Sequence, residues 1–227
     1  MIWAVVPAAG VGRRTGLDLP KQYVELAGRP LLAWSLERLL AHPRVAGAMV
    51  VLSDDDRHWP GWAEVAGKPV RTCVGAGDRA GSVRAGLAAL AGDAAVADWV
   101  LVHDGARPCL GLDELEALIG RGCAHSVGAL LALPVTDTLK QANARDESIG
   151  SLPREQAWRA QTPQLFRYGE LCAALDRARA DGAAVTDEAG ALERLGRLPL
   201  LVPGRASNLK VTTAEDLALA AWYLQQP

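Results

Sequence analysis

Short apolar runs recur along the chain at 2–6, 46–52, 70–74, 98–103 and 127–133. They are apolar almost throughout rather than alternating, the pattern of strands buried on both faces. Between them the spacing becomes helical. From Pro30 onward, Leu32, Leu36, Leu39 and Leu40 fall on one stripe, and Pro30 suits a first helical turn. Ser82 to Leu90 and Asp113 to Ile119 read the same way, as do Leu171 to Ala180, Glu188 to Leu195 and Ala214 to Leu224 further on, with a short strand at 198–202. Strands alternating with helices predict an α/β fold in three layers, a sheet between two layers of helices.

From Pro134 to Ala157 the rhythm breaks. Thr136, Asp137, Thr138 and Lys140 lead into a polar stretch through Asn143, Arg145, Asp146 and Glu147. This is too long for an ordinary connection, and it reads as a loop or hairpin protruding from a single domain that spans 1–227.

Length and charge narrow the functional classes. A chain of 227 residues, half of them apolar, buries a sizeable core without disulfides. Lys and Arg number 24 against 26 Asp and Glu, so no global basic field points to nucleic acid or an acidic membrane, and any positive site is local. Cys73, Cys109, Cys123 and Cys172 form no C-x-x-C pair, which argues against zinc and for reduced, mostly buried thiols. No run approaches the roughly 20 apolar residues of a membrane span, and a cytoplasmic protein is expected.

The strongest local signal opens the chain. The strand Ile2-Trp3-Ala4-Val5-Val6 runs into P-A-A-G-V-G-R-R and then into Pro20-Lys21-Gln22. The strand delivers the loop to the edge of a parallel sheet, Gly10 and Gly12 let backbone N–H groups approach a phosphate, and Arg13, Arg14 and Lys21 supply charge. The spacing is not that of a Walker A loop, and the third glycine of a dinucleotide fingerprint is replaced by Thr15. Three further clusters stand out. Gly75-Ala-Gly-Asp-Arg-Ala-Gly-Ser82 follows a strand and opens a helix, where Ser82 serves either as a cap or as part of a turn that binds a base or an anion. His103-Asp104-Gly105-Ala106-Arg107-Pro108 ends a fully apolar strand, where open α/β sheets gather ligands. Late in the chain come Thr162-Pro163-Gln164, Thr186-Asp187-Glu188-Ala189 and Asn208-Leu209-Lys210-Val211-Thr212. There Thr186 or Asp187 could simply cap the following helix and Lys210 could be an exposed strand-end lysine.

Taken in order, P-A-A-G-V-G-R-R with P-K-Q, the run from Ala76 to Leu87 carrying Arg79 and Ser82, H-D-G-A-R-P, P-V-T-D-T-L-K, Q-T-P-Q, T-D-E-A and N-L-K-V-T resemble the 2-C-methyl-D-erythritol 4-phosphate cytidylyltransferases of the non-mevalonate isoprenoid pathway. The resemblance runs from Ile2 to Tyr223. It implies a Rossmann-like nucleotidyltransferase sheet and transfer of CMP from CTP to methylerythritol phosphate with release of pyrophosphate. The acceptor, a phosphate monoester with a second pKa of about 6, is already a nucleophile. No Ser, Cys or His need activate it, and catalysis reduces to alignment and charge neutralisation.

The resemblance also implies roles. Arg14 and Lys21 would hold the triphosphate, and Lys210 would sit near both reacting phosphates. Pro7, Ala8, Ala9, Gly10, Gly12, Ala76, Gly77 and Ser82 would form the nucleotide pocket, reading cytosine chiefly through backbone groups. Asp104 and Gly105 would face the ribose. Arg107, Thr162, Thr186 and Asp187 would line the acceptor side. Mg²⁺ would be held mainly by the nucleotide phosphates, with no protein metal site. The excursion at 134–157 would be an arm that clasps a second copy, giving a homodimer in which Thr138 and Arg154 reach the partner's acceptor pocket; neither nucleic acid nor membrane is an expected partner. Ala76 departs from the pattern, standing where many relatives have glycine, and the arm's polar middle at 143–149 matches no family motif.

The sequence also admits two other readings. Ribitol 5-phosphate cytidylyltransferase shares the nucleotide blocks and differs in the acceptor pocket, where T-D-E-A and Q-T-P-Q favour methylerythritol phosphate. A non-catalytic nucleotide-binding module would be marked by loss of a charged residue, yet Arg14, Lys21, Arg154 and Lys210 are all present.

Overall fold

The computed structural model describes residues 1–10 and 19–226. Strand β1 (Ile2–Pro7) lies inside the main sheet, between β4 (Val45–Leu52) and β7 (Trp99–Val102), and both neighbours run parallel to it. Beyond β4 come the parallel β6 (Lys68–Val74) and the short antiparallel β5 (Glu64–Val65). On the other side β11 (Trp158–Arg167) runs against both β7 and β8 (Gly128–Pro134), and β12 (Leu200–Pro203) forms the far edge parallel to β8. The sheet therefore has eight strands in the order β12-β8-β11-β7-β1-β4-β6-β5. It is mixed rather than parallel.

The uniformly apolar strands divide their side chains between two cores. Ile2, Ala4 and Val6 of β1 point to one face, where they meet Leu32, Leu36 and Leu39 of α1 (Leu31–Leu40) and Leu115, Leu118 and Ile119 of α3 (Leu112–Ala124). Trp3 and Val5 point to the other, against Val83 and Leu87 of α2 (Arg79–Ala89), Leu171 and Leu175 of α4 (Tyr168–Ala180) and Leu192 of α5 (Glu188–Glu193). Burial on both faces is why these strands show no alternation. A smaller cluster, Leu26, Leu31, Ala106, Cys109, Val211 and Ala220, seats α6 (Ala214–Leu224) beside the hairpin of β2 (Glu25–Leu26) and β3 (Arg29–Pro30).

Strand β11 is the element the hydrophobic pattern does not reveal. It carries Gln161, Thr162, Pro163 and Gln164, and its register to β8 shifts between Ala160 and Gln164. That irregularity accommodates a proline inside a sheet. The buried amides find partners off the strand: Gln161 Nε2 donates to the carbonyls of Arg205 and Asn208, and Gln164 Oε1 accepts the N–H of Ala189.

The excursion after β8 is a hairpin of β9 (Leu139–Ala142) and β10 (Ser148–Leu152), paired only with each other and largely exposed. Its tip is closed by Asn143, whose Oδ1 accepts the N–H groups of Arg145 and Glu147, which gives the polar middle of the segment a local structural reason. Because β8 is parallel to β7 through their shared antiparallel neighbour β11, the arm leaves from the edge of the sheet where β1 and β7 end. Among the described residues no helix is long and apolar enough to cross a membrane. All four cysteines are free; only Cys109 is buried, the other three being half-buried.

Candidate active site

Two turns at the ends of β1 and β6 form the walls of a cavity of about 400 Å³. Past Pro7, the N–H of Ala8 donates to the Val51 carbonyl at 2.8 Å, and the Ala8 carbonyl accepts from Gln22 Nε2 at 2.7 Å. Opposite, Ser82 Oγ accepts the N–H of Ala76 and donates to the Ala76 carbonyl, both at 3.1 Å. The helix opens earlier than the pattern suggests, at Arg79, because Asp78 takes the capping role and accepts the Gly81 N–H. Ser82 is thus free to clamp the turn. Gly75 lets the two walls approach: a Cβ there would stand 2.8 Å from Ser82 Oγ and 3.1 Å from the Ala9 methyl. Small residues on both sides leave a slot without bulky side chains.

The same cavity is also lined by cations. Lys21, in a single 3₁₀ turn before β2, donates from Nζ to the carbonyl of Val211 at 3.3 Å. Its neighbour in space, Lys210, lies 3.0 Å from Asp104 Oδ2. Two lysines from opposite ends of the chain therefore converge where Asp104, Gly105 and Ala106 leave β7. Gly105 is packed so closely that a Cβ would come within 2.9 Å of Leu32 Cδ1. Arg14 and Gly12 lie outside the described residues.

Asp104 is the electrostatic centre. It is almost fully buried and faces Arg79 Nε at 3.1 Å on one oxygen, with Lys210 and, at 3.5 Å, Arg107 Nε on the other. Burial works to raise its carboxyl, but Arg79, Lys210 and Arg107 overcome that and hold it well below the usual carboxylate range. Arg79 continues the chain to Glu188, donating from both terminal nitrogens at 2.7 and 3.2 Å. Complete burial pushes the Glu188 carboxyl upward against the pull of Arg79.

A neutral network supports this ionic one. The N–H of Asp104 donates to Thr162 Oγ1 at 2.9 Å, Thr162 Oγ1 lies 3.1 Å from His103 Nδ1, and His103 Nε2 lies 3.1 Å from the Arg107 carbonyl. A carbonyl only accepts, so Nε2 carries the ring hydrogen and Nδ1 accepts the threonine hydroxyl. Burial lowers the His103 pKa to about 4 and keeps the ring neutral.

The cavity brings together Pro7, Ala8, Ala9, Gly10, Lys21, Ala76, Gly77, Ser82, Asp104, Gly105 and Lys210 from the sequence-derived set. The other described members of that set stand apart from its lining. Arg107 turns inward and donates to the Asn208 carbonyl at 2.7 Å. Thr162 is buried in the network just described. Asp187 caps α5 through Gly190 N–H and accepts from Gln164 Nε2, beside the exposed Thr186. Thr138 and Arg154 lie on the exposed arm and its root, with Arg154 donating to the Thr136 carbonyl. Sequence reasoning left Gln22, Arg79, Glu188 and Asn208 without roles, although each sits inside a quoted motif. An arginine in the first turn of α2, against the helix dipole, was the signal available for Arg79.

A family model described as 2-C-methyl-D-erythritol 4-phosphate cytidylyltransferase matches residues 2–226. The chain is 54% identical to the protein of that name from Xylella fastidiosa over 216 residues, 95% of this chain and 94% of the relative, and 56% identical to the one from Stenotrophomonas maltophilia, covering 95% and 93%. It also superimposes on the crystal structure of a Francisella tularensis enzyme of the same name with a TM-score of 0.84 at 34% identity, covering 98% of this chain and 99% of that one. A crystal structure of 4-diphosphocytidyl-2C-methyl-D-erythritol synthase gives a TM-score of 0.83 at 37% identity, covering 99% and 98%. With a cavity that unites a small-residue slot and two converging lysines, this chain is a cytidylyltransferase enzyme and belongs to the 2-C-methyl-D-erythritol 4-phosphate cytidylyltransferase family.

Proposed function

We propose that the protein transfers CMP from CTP to 2-C-methyl-D-erythritol 4-phosphate, giving 4-diphosphocytidyl-2-C-methyl-D-erythritol and pyrophosphate. The observation that carries the reading is what the cavity joins: the backbone and small side chains of two turns, with Lys21 and Lys210 in the same lining. A pyrimidine fits a slot walled by Ala8, Ala9, Ala76 and Gly77, and the larger purine is disfavoured by size. The two lysines neutralise charge that builds at the α-phosphorus and on the departing pyrophosphate, and they do so from fixed positions. The acceptor phosphate attacks in line from the Asp104–Arg107 side, its oxygen forming the new bond as the bond to pyrophosphate breaks. Arg14, beyond the described residues, would add charge at the triphosphate.

The described residues contain no group of three or more His, Cys, Asp or Glu able to hold a metal ion. The cavity's carboxylates are engaged separately, Asp78 as a cap and Asp104 with cations. This donor set suits a Mg²⁺ ion carried in by the nucleotide phosphates, with Asp104 as the buried carboxylate of the cavity lining. Bound there, the ion would supply further charge neutralisation.

The exposed arm, with Ile149 and Leu152 turned to solvent, is consistent with a homodimer in which Thr138 and Arg154 serve the partner's acceptor pocket. Unpaired cysteines suit the reducing cytoplasm. The deciding experiment is pyrophosphate release from CTP and Mg²⁺ with methylerythritol 4-phosphate, with ribitol 5-phosphate and with no acceptor. Release with the first alone is expected. Release with ribitol 5-phosphate instead would move the assignment to the sister activity, and silence with both would leave a nucleotide-binding module.

A further inference from the structure

Arg79, half-buried in the cavity lining, and the buried Glu188 are charges that the reaction does not call on directly. Glu188 is 1% exposed and its two oxygens are met by the two terminal nitrogens of Arg79. Arg79 stands in the first turn of α2, where the helix dipole disfavours a cation, so its place is not explained by the stability of that helix. Burying the Glu188 carboxylate and most of its arginine partner is costly, and apolar residues of similar size generally stabilise as well or better. The arrangement calls for a reason other than stability.

The geometry supplies one. An arginine beside a lone carboxylate takes both oxygens in a fork. Here the fork is filled by Glu188, and only Nε remains for Asp104, at 3.1 Å on Oδ1. Asp104 Oδ2 is thereby kept clear of Arg79 and takes Lys210 Nζ at 3.0 Å, with Arg107 Nε further off at 3.5 Å. We propose that Glu188 and Arg79 are positioning residues for Lys210, acting through Asp104: Glu188 occupies the Arg79 fork so that Asp104 keeps an oxygen with which to fix the lysine at the cavity mouth. The catalytic consequence rests on the reading of Lys210 as a phosphate-facing group; the positional claim does not.

The test reads the two parts separately. Glu188→Gln keeps the shape of the side chain and removes the charge that fills the fork. In the nucleotide-free enzyme, the rate of amine modification at Lys210, mapped by mass spectrometry with Lys140 on the exposed arm as internal control, is expected to rise about threefold or more, while Lys140 is unchanged. Turnover is expected to fall about tenfold, and in a Lys210→Ala background the same substitution is expected to cost less than about twofold. Arg79→Lys, which presents a point charge and cannot span both carboxylates, should reproduce the phenotype and serves if Glu188→Gln does not fold. An unchanged Lys210 modification rate in the folded variant overturns the proposal. So does an equal loss of turnover with and without Lys210, which would make Glu188 structural. Faster modification of Lys210 with wild-type turnover in both Glu188→Gln and Lys210→Ala would instead keep the positional claim and remove Lys210 from the catalytic reading.

Discussion

Thr162 Oγ1 donates to Nδ1 of His103 across 3.1 Å, so a residue of the irregular strand β11 satisfies the ring nitrogen left without hydrogen by the tautomer that the Arg107 carbonyl selects. The ring has its pKa lowered from 6.5 to about 4 by burial. Above pH 6.5 both folded and unfolded states are neutral and the contribution to stability is complete. As pH falls from 6.5 towards 4 the unfolded state takes up a proton that the folded state refuses, so stability falls by at most about 1.4 kcal/mol per pH unit. Unfolding free energies of the wild type and His103→Gln, measured across this window, should differ in slope by that sense and scale. Parallel curves would mean that the ring is not held neutral. The loss due to Asp104, whose pKa is depressed, belongs to more acid conditions, below its ordinary value of 3.8.

Removal of either lysine at the cavity mouth separates binding from chemistry. Lys21→Ala is expected to lower turnover by a factor of about 10² or more, the scale of losing one transition-state donor, with a smaller change in the KM for CTP. Steady-state kinetics on folded protein decides it, and unchanged turnover with methylerythritol phosphate would remove Lys21 from the mechanism.

Ala76 and Gly81 form a coupled pair. A Cβ at Gly81 would stand 2.9 Å from the Ala76 methyl and 3.0 Å from Asp78 Oδ1. The side chain at 76 is accommodated because position 81 has none. Gly81→Ala should therefore cost about 1–2 kcal/mol and weaken CTP binding, and Ala76→Gly should recover part of that loss in the double variant. Thermal denaturation and calorimetric titration with CTP give both terms; strictly additive effects would exclude the coupling.

Arg154 offers a test of the shared site. If it serves the partner's pocket, mixing Arg154→Ala with Lys21→Ala subunits yields heterodimers in which one site carries both defects and the other neither. Activity should then exceed that of either variant alone by about tenfold or more once subunits exchange. No gain after verified exchange would return Arg154 to its own subunit or to a purely structural role.

The outline of the fold was legible because most strands are buried on both faces, and a run as short and as uniformly apolar as Val45–Leu52 favours a buried strand over a helix. Strand β11 was not, since Gln161, Thr162 and Gln164 are polar and Pro163 normally excludes a strand; their burial is made possible by partners far away in the chain, Asn208, Arg205 and Ala189. The direction of the sheet was misread for the same reason. Ser82 was recognised as important, but its use as a clamp depended on Asp78 taking the cap. The charged pairing of Arg79 with Glu188 joins two motifs more than a hundred positions apart, and local spacing carries no trace of it.

The convergence of Lys21 and Lys210 has a consequence for how the enzyme comes into being. Translation delivers the walls of the slot early, with β1, β4 and β6, whereas Lys210 follows β12, the last strand to be made. A nascent chain that has not yet reached position 210 holds the residues of the slot but lacks the second lysine, and a domain that folds as a unit completes both together. Competence for the reaction therefore arrives late in synthesis, when the far edge of the sheet is sealed and the segment beyond it folds back to the mouth of the cavity.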